Sequence, residues 1–253
     1  MQNVILEKSN RVARLTLNNP PLNIITLPMM RELNDALALL KEDRAVTVIV
    51  IAANGKAFSA GTDIRDHYPD RAVPMLKNFH TVFHTLWSLE PPIVAAVRGA
   101  ALGGGCELAL ACDFIIASER ATFGQPEIRV GAFAPIASLL LPRRVGEKRA
   151  LELLLTGKTL DAREAERIGL VNRVVAADAF DAGVAAFVNE LTAQSGAVLR
   201  VAKRAARLGA RAEFAATLAH IETVYARDLL ATRDAVEGLD AFLQKRAPAW
   251  TDQ

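Results

Sequence analysis

The sequence predicts an α/β fold with a largely parallel sheet. Strand-like and helix-like segments alternate from residue 12 to about residue 147, which is typical of βαβ organisation. The stretch VTVIVIA, residues 46–52, is an apolar β-branched run of the kind found in strands buried on both faces. With 253 residues, 51% of them apolar, we expect one large domain, or one domain with an appendage.

The elements follow one another in a regular order. Residues 12–17 (VARLTL) alternate like a strand, and residues 27–43 carry an apolar stripe at helical spacing. Further on, the sequence predicts a helix at 75–89, a strand at 92–97, a helix at 104–112 and a strand at 113–118. The stripe of the first helix consists of Leu27, Met30, Leu33, Leu37 and Leu40.

Beyond about residue 147 helices dominate. Only RIGLVNRVV, residues 167–175, indicates a further short strand. Gly157 suits a helix carboxyl cap and Asp161 a helix N-cap. From roughly 177 to 246 the chain is an alanine-rich helical region that we expect to pack on the core or on a neighbouring subunit.

Composition excludes several classes of partner. The 30 basic and 28 acidic residues are interspersed and leave a charge of only +2, so we expect no nucleic-acid partner. No apolar run reaches the roughly 18 residues of a membrane span, and no targeting signal is visible. Cys106 and Cys112 lie in an apolar helix and indicate free thiols. We therefore expect a cytoplasmic protein with no membrane partner.

Two glycine-containing loops follow predicted strands. RGAALGGGCELALACD, residues 98–113, opens a helix whose first amides can hold an anion or an oxyanion, although close packing of strand and helix also explains the glycines. It matches neither nucleotide-binding fingerprint. AFSAGTDI, residues 57–64, follows 46–52 in the same way. Two such loops can each offer one amide to the same oxygen, which is enough for an oxyanion hole.

Two glutamates can supply acid–base chemistry. Glu107 is flanked by apolar residues, so its carboxylate either reaches solvent or is buried and tuned for proton transfer. Glu127 follows 20 residues later in FGQPEI. If both reach one pocket, they can hold and deprotonate a water molecule.

Four stretches occur in the order found in the enoyl-CoA hydratase/isomerase (crotonase) family, and the resemblance covers nearly the whole chain: AFSAGTDI, RGAALGGGCELALACD, ATFGQPEIRVG and TLDAREAERIGLVNRVV. The resemblance implies a crotonase-like spiral of ββα units over residues 1–195. It also implies a C-terminal helical trimerisation region over residues 196–253. Homotrimers that often pair into hexamers are then expected.

The resemblance also implies a site and a reaction on an acyl-CoA thioester. In the family, the amides of the residues matching Ala60 and Gly104 bind the thioester oxygen as an enolate develops. Glu107 is then the base that directs water to the β-carbon, and Glu127 protonates the α-carbon. No metal or redox cofactor is expected, since coenzyme A is part of the substrate. The coenzyme A channel is lined by the residues matching Ala60, Gly61, Thr62, Asp63 and Ile64.

Other readings stay open. An isomerase or a hydrolase of the same scaffold is one alternative, and a noncatalytic scaffold is another, although the two glutamates favour a hydratase. Residues 131–146 (GAFAPIASLLLPRRVG) depart from the GxxPGxGGTQRLPRxVG pattern of straight-chain hydratases. With residues 66–86 they are similar to cyclic-dienoyl-CoA hydratases, so a different acyl group is expected.

Several reactive residue types have ordinary explanations. His80 and His84 lie four apart on a helix, but the glutamate of a zinc-binding HExxH motif is missing. We interpret Ser59 and Cys106 as packing residues, because neither has a base at a recognisable spacing. His67 is read as a loop histidine, and the arginines at 204, 207 and 211 as a solvated helix face.

Overall fold

The computed structural model describes residues 2–67, 69–130, 132–209, 227, 231–234, 237, 241 and 244–253, without the side chains of residues 67 and 69–73. The strands are β1 Val4–Ser9, β2 Val12–Leu17, β3 Val48–Ala53, β4 Ile93–Val97, β5 Ala100–Leu102, β6 Phe114–Ser118, β7 Thr122–Gly124, β8 Thr159–Asp161 and β9 Arg173–Val175. The helices are α1 Leu27–Lys41, α2 Pro69–Ser88, α3 Gly104–Ala111, α4 Pro135–Val145, α5 Glu147–Thr156, α6 Ala162–Arg167, α7 Phe180–Thr192 and α8 Gly196–Gly209. None of the described helices is long and apolar enough to cross a membrane.

The main sheet has the strand order β1-β2-β3-β4-β6-β9. Only β1 and β2 pair antiparallel, and the other pairs are parallel, as predicted. Helices α1, α2 and α3 cover one face, and α7 covers the other by packing Phe180, Val184 and Val188 against it. Strand β4 is accordingly buried along its whole length, and β3 is buried except at its last residue. The apolar run that predicted a doubly covered strand was therefore read correctly.

A second sheet of three short strands, in the order β5-β7-β8, fixes the loops that form the site. The loop after β3 joins β5, since the Leu102 amide donates to the Ser59 carbonyl at 2.9 Å. At the end of β5 the Gly103 amide donates to the Gly124 carbonyl of β7 at 2.9 Å. Gly105 lies so close to this loop that a Cβ there would be 2.3 Å from the Ser59 carbonyl oxygen. Three segments remote in sequence are thus held at one edge.

The sequence predicted the helix ends at Gly157 and Asp161, but it did not predict the short strands β5, β7 and β8. Gly157 ends α5 with φ 63°, and the Asp161 carboxylate caps α6 by accepting from the Glu164 amide at 2.8 Å. Strand β8 contradicts the expectation that a single strand follows residue 147. Three residues are too few to show a period of two, so β5, β7 and β8 give no pattern.

The carboxyl-terminal region is not one helical stretch. Helix α7 ends at Thr192, and α8 starts at Gly196 after the buried residue Ser195, whose hydroxyl donates to the Asp234 carboxylate. Helix α8 packs on the core through Lys203 and Arg207, both paired with Asp113. The remainder of the predicted helix to residue 246 lies largely outside the described residues. The boundary at 195/196 and the trimerisation role stay predictions.

Candidate active site

A cavity of about 710 Å³ opens where the two glycine-containing loops meet the turn after β7. Its wall includes Gly103 and Gly104 from the start of α3 and Glu127 from the turn Pro126–Val130. All five loop residues predicted to line a ligand channel do line it: Ala60, Gly61, Thr62, Asp63 and Ile64. Their role as a coenzyme A channel stays a prediction.

Gly104 is the first residue of α3, where an amide has no partner within its own helix. None of the described residues provides an acceptor for its N–H group, and the helix dipole adds partial positive charge there. A Cβ at this position would be 3.0 Å from both Phe79 Cζ and Thr62 Cγ2. A side chain here would crowd both neighbours, and the amide can bind an oxyanion.

The predicted role of the Ala60 amide as an oxyanion donor is wrong. It donates to the Leu22 carbonyl at 2.9 Å, so it is already engaged within the protein. The neighbouring Gly61 amide donates to the Ser59 hydroxyl at 3.1 Å, and the Asp63 amide lies 3.4 Å from the Ile25 carbonyl. The prediction failed because the 57–64 loop pairs with residues 22–25, a long-range contact with no local signal.

Thr62 and Gly61 are the loop residues that lie against Gly104. The Thr62 methyl group faces the Gly104 Cα, and a Cβ on Gly61 would be 3.4 Å from the Gly104 nitrogen. Gly61 has φ 103°, a backbone conformation that residues other than glycine rarely adopt. Toward the cavity rim, Asp63 and Arg65 form an ion pair of 2.6 Å.

Glu107 lies in the first turn of α3 with only 3% of its surface exposed. Its Oε1 accepts a hydrogen bond from the Ala137 amide at 2.9 Å, and the Ile136 amide also interacts with it. These amides belong to the first turn of α4, whose N-cap residue Ala134 provides no side-chain cap. The Glu107 carboxylate therefore takes the place of an N-cap for a helix 30 residues away.

The environment of Glu107 favours its protonated form. Its pKa is raised to about 7, chiefly by burial; repulsion from Glu127 also raises the pKa, and the hydrogen bonds from the Ala137 and Ile136 amides lower it. Such a pKa suits a group that exchanges protons near neutral pH. The carboxylate is thus buried and tuned, rather than reaching solvent.

Glu127 lies against Gly103 at the start of α3. Its Oε1 would be 2.6 Å from a Cβ on Gly103, a residue with φ 51°. Its negative charge raises the pKa of both Glu107 and Cys106. The two predicted carboxylates are therefore close enough to interact; Glu127 lines the cavity, whereas Glu107 is buried and is not among the residues that line it.

The other reactive residue types have structural roles. Ser59 is fully buried and donates to the Asn23 carbonyl at 2.7 Å. Burial raises the pKa of Cys106 to about 12, so its thiol stays protonated. Arg207 is not on a purely solvated face, because it binds Asp113 at 2.8 Å and packs over the Trp87 ring.

The side chain of His67 and the whole of Arg211 lie outside the described residues. Within the described part of the chain, no three histidine, cysteine, aspartate or glutamate residues come together as a metal site. The expectation that no metal is needed stays a prediction.

The amino end of α4 is the part of the site that sequence reasoning missed. The family resemblance implies that the loop and helix start within residues 131–146 border the acyl pocket, and Pro135 at the first helical position is typical of such a start. The contact of this helix start with Glu107 was not predicted. Which helix start would face Glu107 depends on the packing of α3 against α4. No sequence signal gives that packing.

An α/β spiral that places two coupled carboxylates beside an available helix-terminal amide defines an enzyme for acid–base chemistry at a carbonyl compound. The chain belongs to the enoyl-CoA hydratase/isomerase family, whose model matches residues 7–253.

Named relatives agree with this assignment along the whole chain. The chain is 39% identical over 250 residues to cyclohexa-1,5-dienecarbonyl-CoA hydratase from Thauera aromatica, covering 99% of this chain and 96% of the relative. It is 36% identical over 252 residues to crotonyl-CoA hydratase from Syntrophomonas wolfei, covering 97% and 96%.

Solved structures share the fold. The enoyl-CoA hydratase of Mycobacterium smegmatis superposes with a TM-score of 0.94 at 32% identity, covering 99% of each chain. The enoyl-CoA hydratase of Bacillus anthracis gives a TM-score of 0.95 at 30% identity, covering 100% of each chain. The predicted crotonase-like fold is thereby confirmed.

Proposed function

We propose that this protein is an enoyl-CoA hydratase that adds water across the α,β double bond of an acyl-CoA thioester. The observation that carries the proposal is the coupled pair Glu107 and Glu127 beside the Gly104 amide. Family membership and the named hydratase relatives support the same reaction. A noncatalytic scaffold has no use for a buried carboxylate whose pKa is raised to about 7.

The thioester oxygen is bound at the start of α3. The Gly104 amide is one donor, and we assign the second to the Thr62 amide, because Thr62 lies directly against Gly104 at the cavity wall. This assignment replaces Ala60. Donors directed at an oxygen that becomes negative in the transition state lower the barrier, and losing one costs about 3 to 4 kcal/mol in comparable sites.

Each of the two carboxylates carries out one proton transfer. Ionised Glu107 accepts a proton from the water molecule as the hydroxyl oxygen bonds to the β-carbon. Protonated Glu127 then donates its proton to the α-carbon, and the enolate returns to a thioester. The two interacting carboxyls share the proton gained and the proton lost, so no metal or redox cofactor enters the reaction.

The remainder of the ligand follows the cavity outward. The coenzyme A portion lies along residues 60–64, where the backbone and the small side chains allow close approach. Arg65 and Arg129 line the same cavity and carry positive charge toward its phosphates. Assembly as a homotrimer, or as a hexamer of paired trimers, in the cytoplasm is part of the proposal.

The test is hydration of crotonyl-CoA by the wild type and by Glu107→Gln and Glu127→Gln, followed by the loss of enoyl absorbance. Each variant should lose about 10² to 10⁴-fold in kcat, the usual contribution of one acid–base group. Glu7→Gln is the matched control, since Glu7 is an exposed residue of the edge strand β1. Unchanged rates in both site variants would refute the assignment.

A cyclic dienoyl-CoA substrate is a second candidate. Residues 131–146 depart from the straight-chain pattern, and their amides at 136 and 137 contact the Glu107 carboxylate. The departure therefore lies at the reaction centre, and the Thauera aromatica relative is named for such a substrate. Comparing kcat/KM for crotonyl-CoA and cyclohexa-1,5-dienecarbonyl-CoA decides between them, and product analysis identifies an isomerase.

A further inference from the structure

A second cavity, of about 310 Å³, lies between α2 and α4. We call it the α2–α4 cavity. The residues that matter for its chemistry are His80, Phe83, His84, Ala111, Ile136 and Arg143. It shares none of its described lining residues with the cavity at Gly104.

The α2–α4 cavity nevertheless adjoins the reaction centre. Phe79, whose Cζ would be 3.0 Å from a Gly104 Cβ, packs edge to face on Phe83 with ring centroids 4.7 Å apart. Ile136 lines the cavity with its side chain, while its amide interacts with the Glu107 carboxylate. Ala111 is seven residues beyond Gly104, so the cavity extends to about 10 Å along α3 from the oxyanion-binding amide.

The wall of this cavity contains a polar atom, His80 Nε2, that is not satisfied within the described protein. The His80 Nε2 atom is buried, and no described residue gives it a hydrogen-bond partner. A buried group left in this state costs about 1 to 3 kcal/mol, so it usually has a ligand or water partner. Burial and the neighbouring His84 lower the pKa of His80, so its imidazole is neutral at pH 7 and suited to hydrogen bonding.

The charge of the cavity is positive. Arg143 lines it, and among the described residues no carboxylate forms an ion pair with Arg143. None of the described lining residues is acidic. His84 lies one helical turn after His80 and faces the same side. An oxygen acceptor on an otherwise apolar ligand is therefore the group that this wall can recognise.

We propose that the α2–α4 cavity receives the distal end of the acyl group and selects acyl groups that carry an oxygen acceptor there, either a carboxylate or a carbonyl. The inference rests on the proposed hydratase function and specifies its substrate class. The acyl group runs from Gly104 past Phe79 and along α3. His80 Nε2–H then donates to the distal oxygen, and Arg143 adds charge when that oxygen belongs to a carboxylate.

The experiment uses three enoyl-CoA thioesters of equal length that end in a methyl group, a ketone or a carboxylate, each at several chain lengths. In the wild type, kcat/KM should be highest for the two oxygen-bearing ends. His80→Leu should lower kcat/KM about tenfold for both of these and leave the methyl-ended substrate unchanged. Arg143→Gln should lower it only for the carboxylate.

Arg144→Gln is the matched control, because Arg144 is the next residue of α4 and does not line the α2–α4 cavity. It should leave all three substrates unchanged. Dissociation constants of the saturated, unreactive thioesters give a second readout that does not need turnover, and thermal unfolding checks that each variant is folded.

Equal losses for all three substrates in His80→Leu would assign His80 a structural role and overturn the inference. So would a wild-type preference for the methyl end, or saturated ketone- and carboxylate-ended thioesters that bind His80→Leu as tightly as the wild type. Failure of the wild type to hydrate any enoyl-CoA, crotonyl-CoA included, would instead refute the proposed function and the inference with it.

Discussion

The Glu107 carboxylate accepts a hydrogen bond from the Ala137 amide at 2.9 Å, which ties the first turn of α3 to the first turn of α4. One side chain thus caps a neighbouring helix and is the proposed base of the reaction. Its raised pKa is the balance of burial and the Glu127 charge against these helix amides. Stability and activity are therefore expected to depend on the same group.

The stability contribution of Glu107 should decrease as pH rises. Its pKa is about 7 in the folded protein and 4.5 in an ordinary setting. Between these values the unfolded chain releases the proton that the folded protein keeps, so the free energy of unfolding falls with increasing pH. The full effect is roughly 3 kcal/mol, present below pH 4.5 and lost above pH 7.

Denaturant unfolding from pH 4.5 to pH 8 measures this effect. The wild type minus Glu107→Gln difference isolates it, because other carboxylates with lowered pKa values, such as Glu32 and Asp43, contribute in the opposite direction and cancel. A difference independent of pH would contradict the raised pKa.

Activity should fall with pH as the carboxyl pair loses its last proton. The proposed reaction needs Glu107 ionised and Glu127 protonated, so it needs one proton on the pair. Because repulsion from Glu127 contributes to the Glu107 pKa of about 7, that value belongs to the pair with Glu127 ionised, and the last proton leaves near pH 7. We therefore expect kcat/KM for an enoyl-CoA to decrease through an inflection near pH 7. Glu107→Gln should remove both the activity and this inflection, and a rate profile that is flat between pH 6 and pH 8 would contradict a proton shared by the two carboxyls.

Gly103→Ala should disrupt the site by displacing Glu127. The added Cβ would be 2.6 Å from Glu127 Oε1, and the backbone at φ 51° is unfavourable for alanine. We expect a loss of about 1 to 3 kcal/mol in stability and most of the activity. Gly146→Ala is the control, since Gly146 has φ 78° and no atom within 4 Å of its Cβ position. It should be destabilised similarly but stay active.

Gly104→Ala tests the contact with Thr62. A Cβ here would lie 3.0 Å from Thr62 Cγ2, so it should shift the 57–64 loop and lower kcat by about 10²-fold, the effect of misplacing a bound group by about 1 Å. Thr62→Ser removes this methyl group but keeps the backbone amide. The double variant should regain part of the lost rate. No recovery would indicate that Phe79, the other close neighbour, dominates.

Asp113 should hold α8 on the core. It binds Lys203 at 2.6 Å and Arg207 at 2.8 Å, and all three side chains are largely buried. Asp113→Ala leaves these cations without a counter-charge, so urea unfolding should show a loss of about 3 to 5 kcal/mol. The exposed Arg44–Glu90 pair is the comparison, and Glu90→Gln should cost under about 1 kcal/mol. Equal losses would mean that α8 is not anchored by Asp113.

Local sequence patterns predicted much of the fold. The apolar stripe of α1 includes Met30, Leu33, Leu37 and Leu40, all fully buried, and the periodicity alone located that helix. Strands β3 and β4 were also predicted from a local property, which is their apolar composition. Strand β5 gave no signal, since its stability comes from pairing with β7 and with Ser59, which are distant in sequence.

The candidate site, like the fold, could be predicted only in part from the sequence. Sequence by itself determined which residues are available: a helix start rich in glycine at Gly104, two glutamates, and a loop of small side chains, since residue chemistry and spacing are local properties. Only the tertiary structure decided that the Ala60 amide is held by Leu22 and that Glu107 faces the amino end of α4. Both depend on which distant backbone groups meet after packing, because a hydrogen-bonding group is available to a ligand only when no neighbour in the folded chain has already engaged it.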